Sequence, residues 1–469
     1  MLISELLNVD ADADVGGIGY GDMCRRGDLY FCLHKGDRLT ADMIFADSRG
    51  AAGIVYPSGT RHPSGSACFL PSDDVRRDFA LASAAFYGRP ADGLTMIGVT
   101  GTNGKTTVTH ITARILEEAG HRVGLIGTNG ARLGEKKYDC SLTTPDPPEL
   151  HRILREMSDD GADTAVMEVS AHALALKKVE GIVFTVAAFT NLTLDHLDFF
   201  GSMEEYRRAK LSLFDPSHAL AGVVNVDDDT GVRISRVAGI PLVTYGCDNP
   251  SDVFAIDYEA NENGCSFVAN LMDDVTDMEY CAPGRYNMSN VLCASAIAKV
   301  LGIETDTIAR GVRGVRGVDG RFEIIRGKGK RVVIDYAHTP DGLDKALRAA
   351  REITEGRVIT VFGCGGDRDK SKRAAMGEIA GELSDFAVIT SDNPRSEPPE
   401  KIMEQIASGM HGGNYIEKAD RREGIECALD MCREGDTVVI AGKGHEDTQE
   451  ICGIKTHFSD EETVRELLK

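Results

Sequence analysis

Between Ile97 and Thr107 the chain reads Ile-Gly-Val-Thr-Gly-Thr-Asn-Gly-Lys-Thr-Thr, an apolar run that turns through glycines into a helix-like segment. Glycines at such a turn let successive backbone N–H groups point into one concavity beside a helix N-terminus, where phosphate oxygens meet positive partial charge. Gly101, Thr102, Asn103 and Gly104 make the turn, and Thr107 follows on the helix. Lys105 is placed to reach the β- and γ-phosphates of a nucleotide, and the Thr106 hydroxyl to ligate Mg²⁺. Val99 stands where the strict G-x-x-x-x-G-K-[ST] pattern has its first glycine. The plain alternative is a tight strand-to-helix turn that merely uses glycine. Gly101, Gly104, Lys105 and Thr106 together favour a nucleoside triphosphate site.

The text around the loop fits that demand for a strand and a helix. From Leu94, apolar runs alternate with amphipathic ones: LTMIGVT, TTVTHITARILEEAG, VGLIG, a helix at 148–160, TAVMEV and TVAAFTNL. Such alternation predicts a parallel, doubly wound sheet. A second alternation starts near residue 331 with RVVIDYAH, LDKALRAAREI, RVITVFG, FAVITSD and TVVIAG. Before the first one lie short β-like runs, DLYFCL at 28–33 and GIVYP at 53–57, and a helix-like stretch at 73–88. Gly88-Arg89-Pro90 and the Gly-rich 311–323 punctuate the three parts. A chain of 469 residues exceeds what one core organises. We therefore expect an α/β protein of three domains. A small N-terminal α/β domain spans 1–88, a central doubly wound P-loop-type ATPase domain 89–318, and a Rossmann-like α/β domain 319–469.

Composition narrows the setting. Twelve cysteines contain no C-x-x-C pair, which suits reduced thiols in a cytoplasmic protein. No apolar run approaches the roughly 18 residues needed to span a bilayer, and the start lacks a secretory pattern. A net charge of −22 disfavours nucleic acid and anionic membranes as partners. It leaves anionic small molecules open, because screening lets local cations decide a site. A monomer is expected.

The string G-T-N-G-K-T-T resembles the signature of the Mur ligases and folylpolyglutamate synthetases, and the resemblance runs through both later domains. It implies an ATP-dependent ligase that joins a carboxylate to an amine through an acyl phosphate. Glu168 in T-A-V-M-E-V-S, His196 in T-N-L-T-L-D-H-L-D and Lys210 in E-E-Y-R-R-A-K-L each have a bland reading as solvated or satisfied groups. In this order after the phosphate loop they match the Mur ligase metal motifs. With Thr106 they would hold two Mg²⁺ ions, Lys210 as a carbamate formed with CO₂. The resemblance also sets Asn287 and Asn290 against the adenine and closes Arg321, Asp335 and His338 over ATP. For Arg321, domain closure would bring it to the γ-phosphate, and a buried structural ion pair is the alternative.

Ser141, Thr143, Thr144, Ser170, His172 and Lys178 resemble a UDP-muramoyl-dipeptide site. There are two departures. Lys178 stands where the family usually has Arg, giving a point charge instead of a fork. The first domain reads Asp22-Met23-Cys24-Arg25-Arg26 where D-S-R is usual, so Arg25 or Arg26 would have to replace the usual uridine contacts. Arg368, the run Asp392-Asn393-Pro394-Arg395, Gly442 and Glu446 resemble a meso-diaminopimelate pocket. There Arg368 and Arg395 would hold the substrate's distal carboxylate, and Glu446 with the backbone near Gly442 its ammonium. A paralogue acting on another acceptor, such as folate or an amino-acid polymer, and a non-catalytic scaffold are the competing readings.

Overall fold

The computed structural model describes residues 1–261 and 263–469. The first part of the chain is a four-stranded parallel sheet, in the order Gly17–Tyr20, Asp28–Phe31, Gly53–Pro57, Cys68–Ser72. Alternate side chains enter separate cores, as the period of two requires. Leu29, Phe31 and Val55 pack with Phe79 of helix Val75–Phe86, while Tyr30, Ile54 and Tyr56 pack with Met43 of helix Asp37–Ser48. Asp74 caps the first of those helices through the Arg77 N–H at 3.1 Å. The same carboxylate takes the Lys177 ammonium, tying this sheet to the next.

The central sheet has eleven strands. Its parallel middle runs Val123–Gly127, Thr164–Glu168, Thr95–Thr100, Phe184–Phe189, Ala219–Asn225, Leu242–Gly246. The first four of those strands are the continuous apolar runs of the sequence, buried on both faces. The sequence reading did not anticipate the margins. An antiparallel ribbon, Gly130–Leu133 with Lys136–Tyr138, extends one side. On the other, Val253–Asn261, Gly264–Leu271 and Asp274–Tyr280 form an antiparallel meander. Within it Cys265, Phe267, Ala269 and Leu271 are buried, every second residue, in the core shared with helix Arg285–Val300.

The last sheet has six strands, in the order Glu323–Gly327, Lys330–Asp335, Thr437–Ala441, Val358–Phe362, Phe386–Thr390, Tyr415–Lys418. Only the first pair is antiparallel. Arg421 and Asp460, both without solvent exposure, pair at 2.7 Å. The same guanidinium donates to the Ser391 and Ala441 carbonyls at 3.2 and 3.1 Å. It thus ties together the ends of strands Phe386–Thr390 and Thr437–Ala441, which flank Val358–Phe362, where the site loops begin. All twelve cysteines are free thiols. Among the described residues no helix is long and apolar enough to cross a membrane.

Candidate active site

The buried strand Thr95–Thr100 lies between Thr164–Glu168 and Phe184–Phe189 and delivers its loop to helix Lys105–Glu118. Gly104 has φ of 86° with the Asn290 side chain packed against its α-carbon, and a β-carbon at Gly101 would collide with the Thr190 hydroxyl. Neither position admits a side chain. The loop is laced from behind. Asn103 donates its N–H to Asn191 Oδ1 at 2.9 Å and accepts the Thr190 hydroxyl at 2.6 Å, and the hydroxyls of Thr102 and Tyr206 meet at 3.0 Å. Lys105 donates to the Gly101 and Thr102 carbonyls at 2.9 and 2.8 Å, and burial lowers its pKa. Thr106 and Thr107 follow on the cleft wall.

Glu168 ends its strand 1 % exposed. Its carboxylate accepts the Thr128 N–H at 2.8 Å and the Thr128 hydroxyl at 3.1 Å. Sequence reasoning missed Thr128, although a hydroxyl directly after the VGLIG strand was its signal. His196, at φ of 56°, has Nε2 3.3 Å from Asp195 and its ring 4.7 Å from that of His172. Burial pushes His196 down to about 4 against the opposing pull of Asp195, leaving a neutral imidazole near pH 7. Burial acts upward on Asp195, but His196, His338 and Lys372 outweigh it and hold the carboxyl below its usual range.

Lys210 is 1 % exposed, with its ammonium 4.6 Å from the centre of the Tyr206 ring. Desolvation first, then the charge of Lys105, drives it well below the ordinary lysine range. Among the described residues it has no ion pair and no side-chain hydrogen bond. No three His, Cys, Asp or Glu side chains converge into a self-sufficient metal cage among those residues. The Thr106 hydroxyl and the Glu168 carboxylate are nevertheless oxygen donors that suit Mg²⁺ when phosphate oxygens complete its shell, and the neutral His196 imidazole adds a nitrogen donor.

On the nucleotide side, Asn287 donates to the Pro283 carbonyl at 2.8 Å, and Asn290 lies against Gly104. Arg321 is not in a side-chain ion pair among the described residues. It donates to the Thr106 hydroxyl at 3.0 Å and stacks 4.4 Å from the Tyr336 ring centre, so it already stands at the phosphate loop. Asp335 is raised by burial, although Arg321 and the N–H groups of Phe322 and Ala337 oppose this. His338 Nδ1 lies 2.8 Å from the Tyr336 carbonyl.

The acceptor candidates adjoin Glu168. Thr143 contacts Thr128 hydroxyl to hydroxyl at 3.1 Å. Thr144 donates to the Glu168 carbonyl at 2.9 Å and accepts the Ser170 N–H at 3.0 Å. Lys178 pairs with Asp146 at 2.9 Å, and His172 completes this wall. Ser141 instead bonds Glu149 at 2.8 Å outside the cleft. Met23, Cys24, Arg25 and Arg26 are not brought to the cleft wall either; Met23 is 57 % exposed.

Arg368, Asp392, Asn393, Arg395, Gly442 and Glu446 line the opposite wall, with Pro394 behind them. Gly442 is fixed by its N–H to the Asp335 carbonyl at 3.0 Å. Arg395, at φ of 51°, donates to the Gly366 carbonyl at 2.8 Å. Asn393 donates to Glu446 at 2.9 Å. Lys443, fully buried and not singled out in the sequence, donates to Glu446 at 3.0 Å and to the Thr448 carbonyl at 2.6 Å. Glu446 therefore enters the pocket with one oxygen already engaged.

One cleft of about 570 Å³ joins these walls. Of the sequence candidates for catalysis and binding, Gly101, Lys210 and Pro394 lie behind its surface, and Ser141, Arg25 and Arg26 lie outside it. Comparisons with known proteins bear on the family and the fold. The Mur ligase middle domain matches residues 99–298, and the Mur ligase glutamate ligase domain matches 320–444. The UDP-N-acetylmuramoyl-L-alanyl-D-glutamate–2,6-diaminopimelate ligase of Clostridium tetani is 40 % identical, over 99 % of this chain and 97 % of its own. The protein of the same name from Aquifex aeolicus is also 40 % identical, over 95 % and 91 %. A solved structure of a ligase so named superposes with a TM-score of 0.71 at 29 % identity, over 100 % of this chain and 98 % of its own. The folylpolyglutamate synthase of Mycobacterium tuberculosis, solved with ADP and AMPPCP, shares the fold with a TM-score of 0.65 at 18 % identity, over 77 % and 91 %. A glycine-locked phosphate loop facing a two-arginine pocket, matched to relatives along almost the whole chain, makes this protein a member of the Mur ligase family.

Proposed function

We propose that the chain joins meso-diaminopimelate to the γ-carboxylate of D-glutamate in UDP-N-acetylmuramoyl-L-alanyl-D-glutamate, with ATP converted to ADP and phosphate. The observation that carries this reading is the single cleft, in which the phosphate loop, the Thr143–Thr144 wall and the Arg368–Arg395 wall face one another. Relatives named for this reaction align over 99 % of the chain, the first sheet included. We assign residues 1–88 to the uridine end of the acceptor, 89–318 to ATP and 319–469 to the amino acid.

The acceptor carboxylate oxygen attacks the γ-phosphorus, and the bond from that phosphorus to the β–γ bridging oxygen breaks as ADP leaves. Lys105 and Arg321, which flank Thr106, take up charge on the phosphate oxygens. Two Mg²⁺ ions, held through Thr106, Glu168, His196 and a Lys210 carbamate, would screen the repulsion between carboxylate and triphosphate. Lys210 suits that modification. Burial disfavours its charged form; the amine, once deprotonated, adds to CO₂, the N–C bond forms, and loss of a proton leaves an anion where a cation was poorly tolerated. The neutral amine at the L-centre of diaminopimelate then attacks the acyl carbon. Phosphate departs with the electrons of the C–O bond and carries off the amine proton. Arg368 and Arg395 hold the distal carboxylate, and the oxygen of Glu446 not engaged by Lys443 meets the distal ammonium.

Phosphate release tests the reading, measured with ATP and with each other substrate omitted in turn. Release that needs both the UDP dipeptide and diaminopimelate is expected. Release without the UDP dipeptide, or with a different carboxylate in its place, favours a paralogue, the reading suggested by Met23 and Cys24 and by the neutralisation of Lys178 by Asp146.

A further inference from the structure

Four residues at the start of helix Ser371–Leu383 contain three cations, Lys370, Lys372 and Arg373. Two of them are neutralised by one carboxylate. Arg373 is fully buried and meets both oxygens of Glu397 at 2.9 and 3.0 Å, and Lys370 reaches the same group at 3.2 Å. Lys372 is treated differently. It is 9 % exposed, it lines the cleft, and among the described residues it has neither an ion pair nor a hydrogen bond. Asp195 is within its electrostatic reach but does not bond it, so the donors of this buried ammonium are left for an anion in the cleft.

Its surroundings indicate which anion. The charge of Lys372 acts on Asp195 and His338, both on the nucleotide side of the cleft. It acts also on Cys364, at the end of strand Val358–Phe362, whose environment includes Asp392 of the amino-acid wall. Lys372 therefore sits where the two walls meet. The distal carboxylate of the amino acid has Arg368 and Arg395 on its own wall. Of the anions left at the junction, the carboxylate at the L-centre and the phosphoryl group, the phosphoryl group carries the greater charge, first in transfer and then as the leaving phosphate.

Resting on the function proposed above, we propose that Lys372 is a catalytic residue that binds the transferred phosphoryl oxygens from the C-terminal domain. It stands opposite Lys105 and Arg321, and it stabilises both the acyl phosphate and its departure. Charge on the group rises as the P–O bond to ADP breaks, and rises again as the C–O bond to the acyl carbon breaks. A fixed cation strengthens its hold at both points.

Lys372→Met removes the charge at nearly constant length, and Lys372→Arg keeps it. Turnover, the KM of each substrate, ADP affinity by calorimetry and acyl phosphate trapped as hydroxamate by hydroxylamine would be compared with wild type. For the methionine variant we expect kcat down on the order of 10²-fold. Trapped hydroxamate should fall with it, the KM for diaminopimelate should stay within about threefold, and ADP affinity should be unchanged. Lys372→Arg should recover part of kcat. A KM for diaminopimelate raised tenfold with kcat preserved would transfer Lys372 to the amino-acid carboxylate and overturn the proposal. So would unaltered kinetics, or a parallel loss of ADP affinity and melting temperature. If wild type turns over with another acceptor, the function proposed above fails while the Lys372 comparison stands on that acceptor.

Discussion

The two walls of the cleft are built on opposite plans. On the central-domain wall, nearly every polar group has a protein partner. Asn103, Thr102 and Lys105 are bonded to their own loop or its neighbours, and the glycines are fixed by close approach of Thr190 and Asn290. On the C-terminal wall, cations project into the cleft with fewer commitments. Arg395 donates to backbone carbonyls and lies 3.9 Å from the Glu450 carboxylate, and Lys372 has neither an ion pair nor a hydrogen bond among the described residues. The lesson concerns specificity. On the function proposed above, a triphosphate would be met by backbone geometry that is complete beforehand, and the amino acid would be chosen by side-chain charge.

The comparison breaks most visibly at Lys105. Lys105→Ala should reduce acyl-phosphate formation by about 10³-fold or more, with the circular dichroism spectrum and melting temperature close to wild type. Near-normal hydroxamate trapping in that variant would mean that backbone geometry alone suffices on this wall. Lys210→Ala comes next, with turnover down roughly 10²- to 10³-fold. Short carboxylates added in solution should restore part of it, and full activity in CO₂-free buffer would remove the carbamate from the scheme.

Arg395→Ala sharpens the other side. A charge-assisted hydrogen bond contributes about 1.5–3 kcal/mol, on the order of 10- to 150-fold in kcat/KM. The loss should fall on diaminopimelate and spare L-lysine, which has no distal carboxylate. Parallel kinetics on the two amino acids decide it, and equal losses would show that the arginine does not read charge. The smallest effects belong to the acceptor wall. Lys178 is already paired with Asp146, so Lys178→Ala and Thr144→Val should each raise the KM for the UDP dipeptide only about three- to tenfold. Unchanged values would place acceptor recognition in the first sheet.

The sequence made the parallel middle of the central sheet legible because strands buried on both faces read as unbroken apolar runs. The meander Val253–Tyr280 was not read, since a strand such as Asp274–Tyr280 buries few of its residues and carries charge on the rest. The site divides similarly. Glu168, Arg321 and Arg395 lie in strings with an order that can be matched. Thr128, Lys372 and Lys443 matter because of partners that only tertiary folding supplies or withholds. Lys443 sits inside the string Ala441-Gly-Lys-Gly-His-Glu446, yet nothing local says that it is buried against Glu446. Lys372 looks identical to Lys370 until Glu397 is seen to serve one and not the other.

The phosphate loop also holds the two later domains together. Asn103 donates to Asp341 at 2.7 Å and Thr106 accepts from Arg321 at 3.0 Å, and both partners belong to the C-terminal part of the chain. A nucleotide that claims the amide of Asn103 or the hydroxyl of Thr106 draws on the same groups that fasten the domains. Occupancy and domain docking are then thermodynamically linked, and the linkage is reciprocal. Whatever free energy docking lends to one bound form of the nucleotide, that form returns to docking. On the function proposed above, ATP and ADP differ at the oxygens that Thr106 would face, so hydrolytic state and domain docking would be coupled.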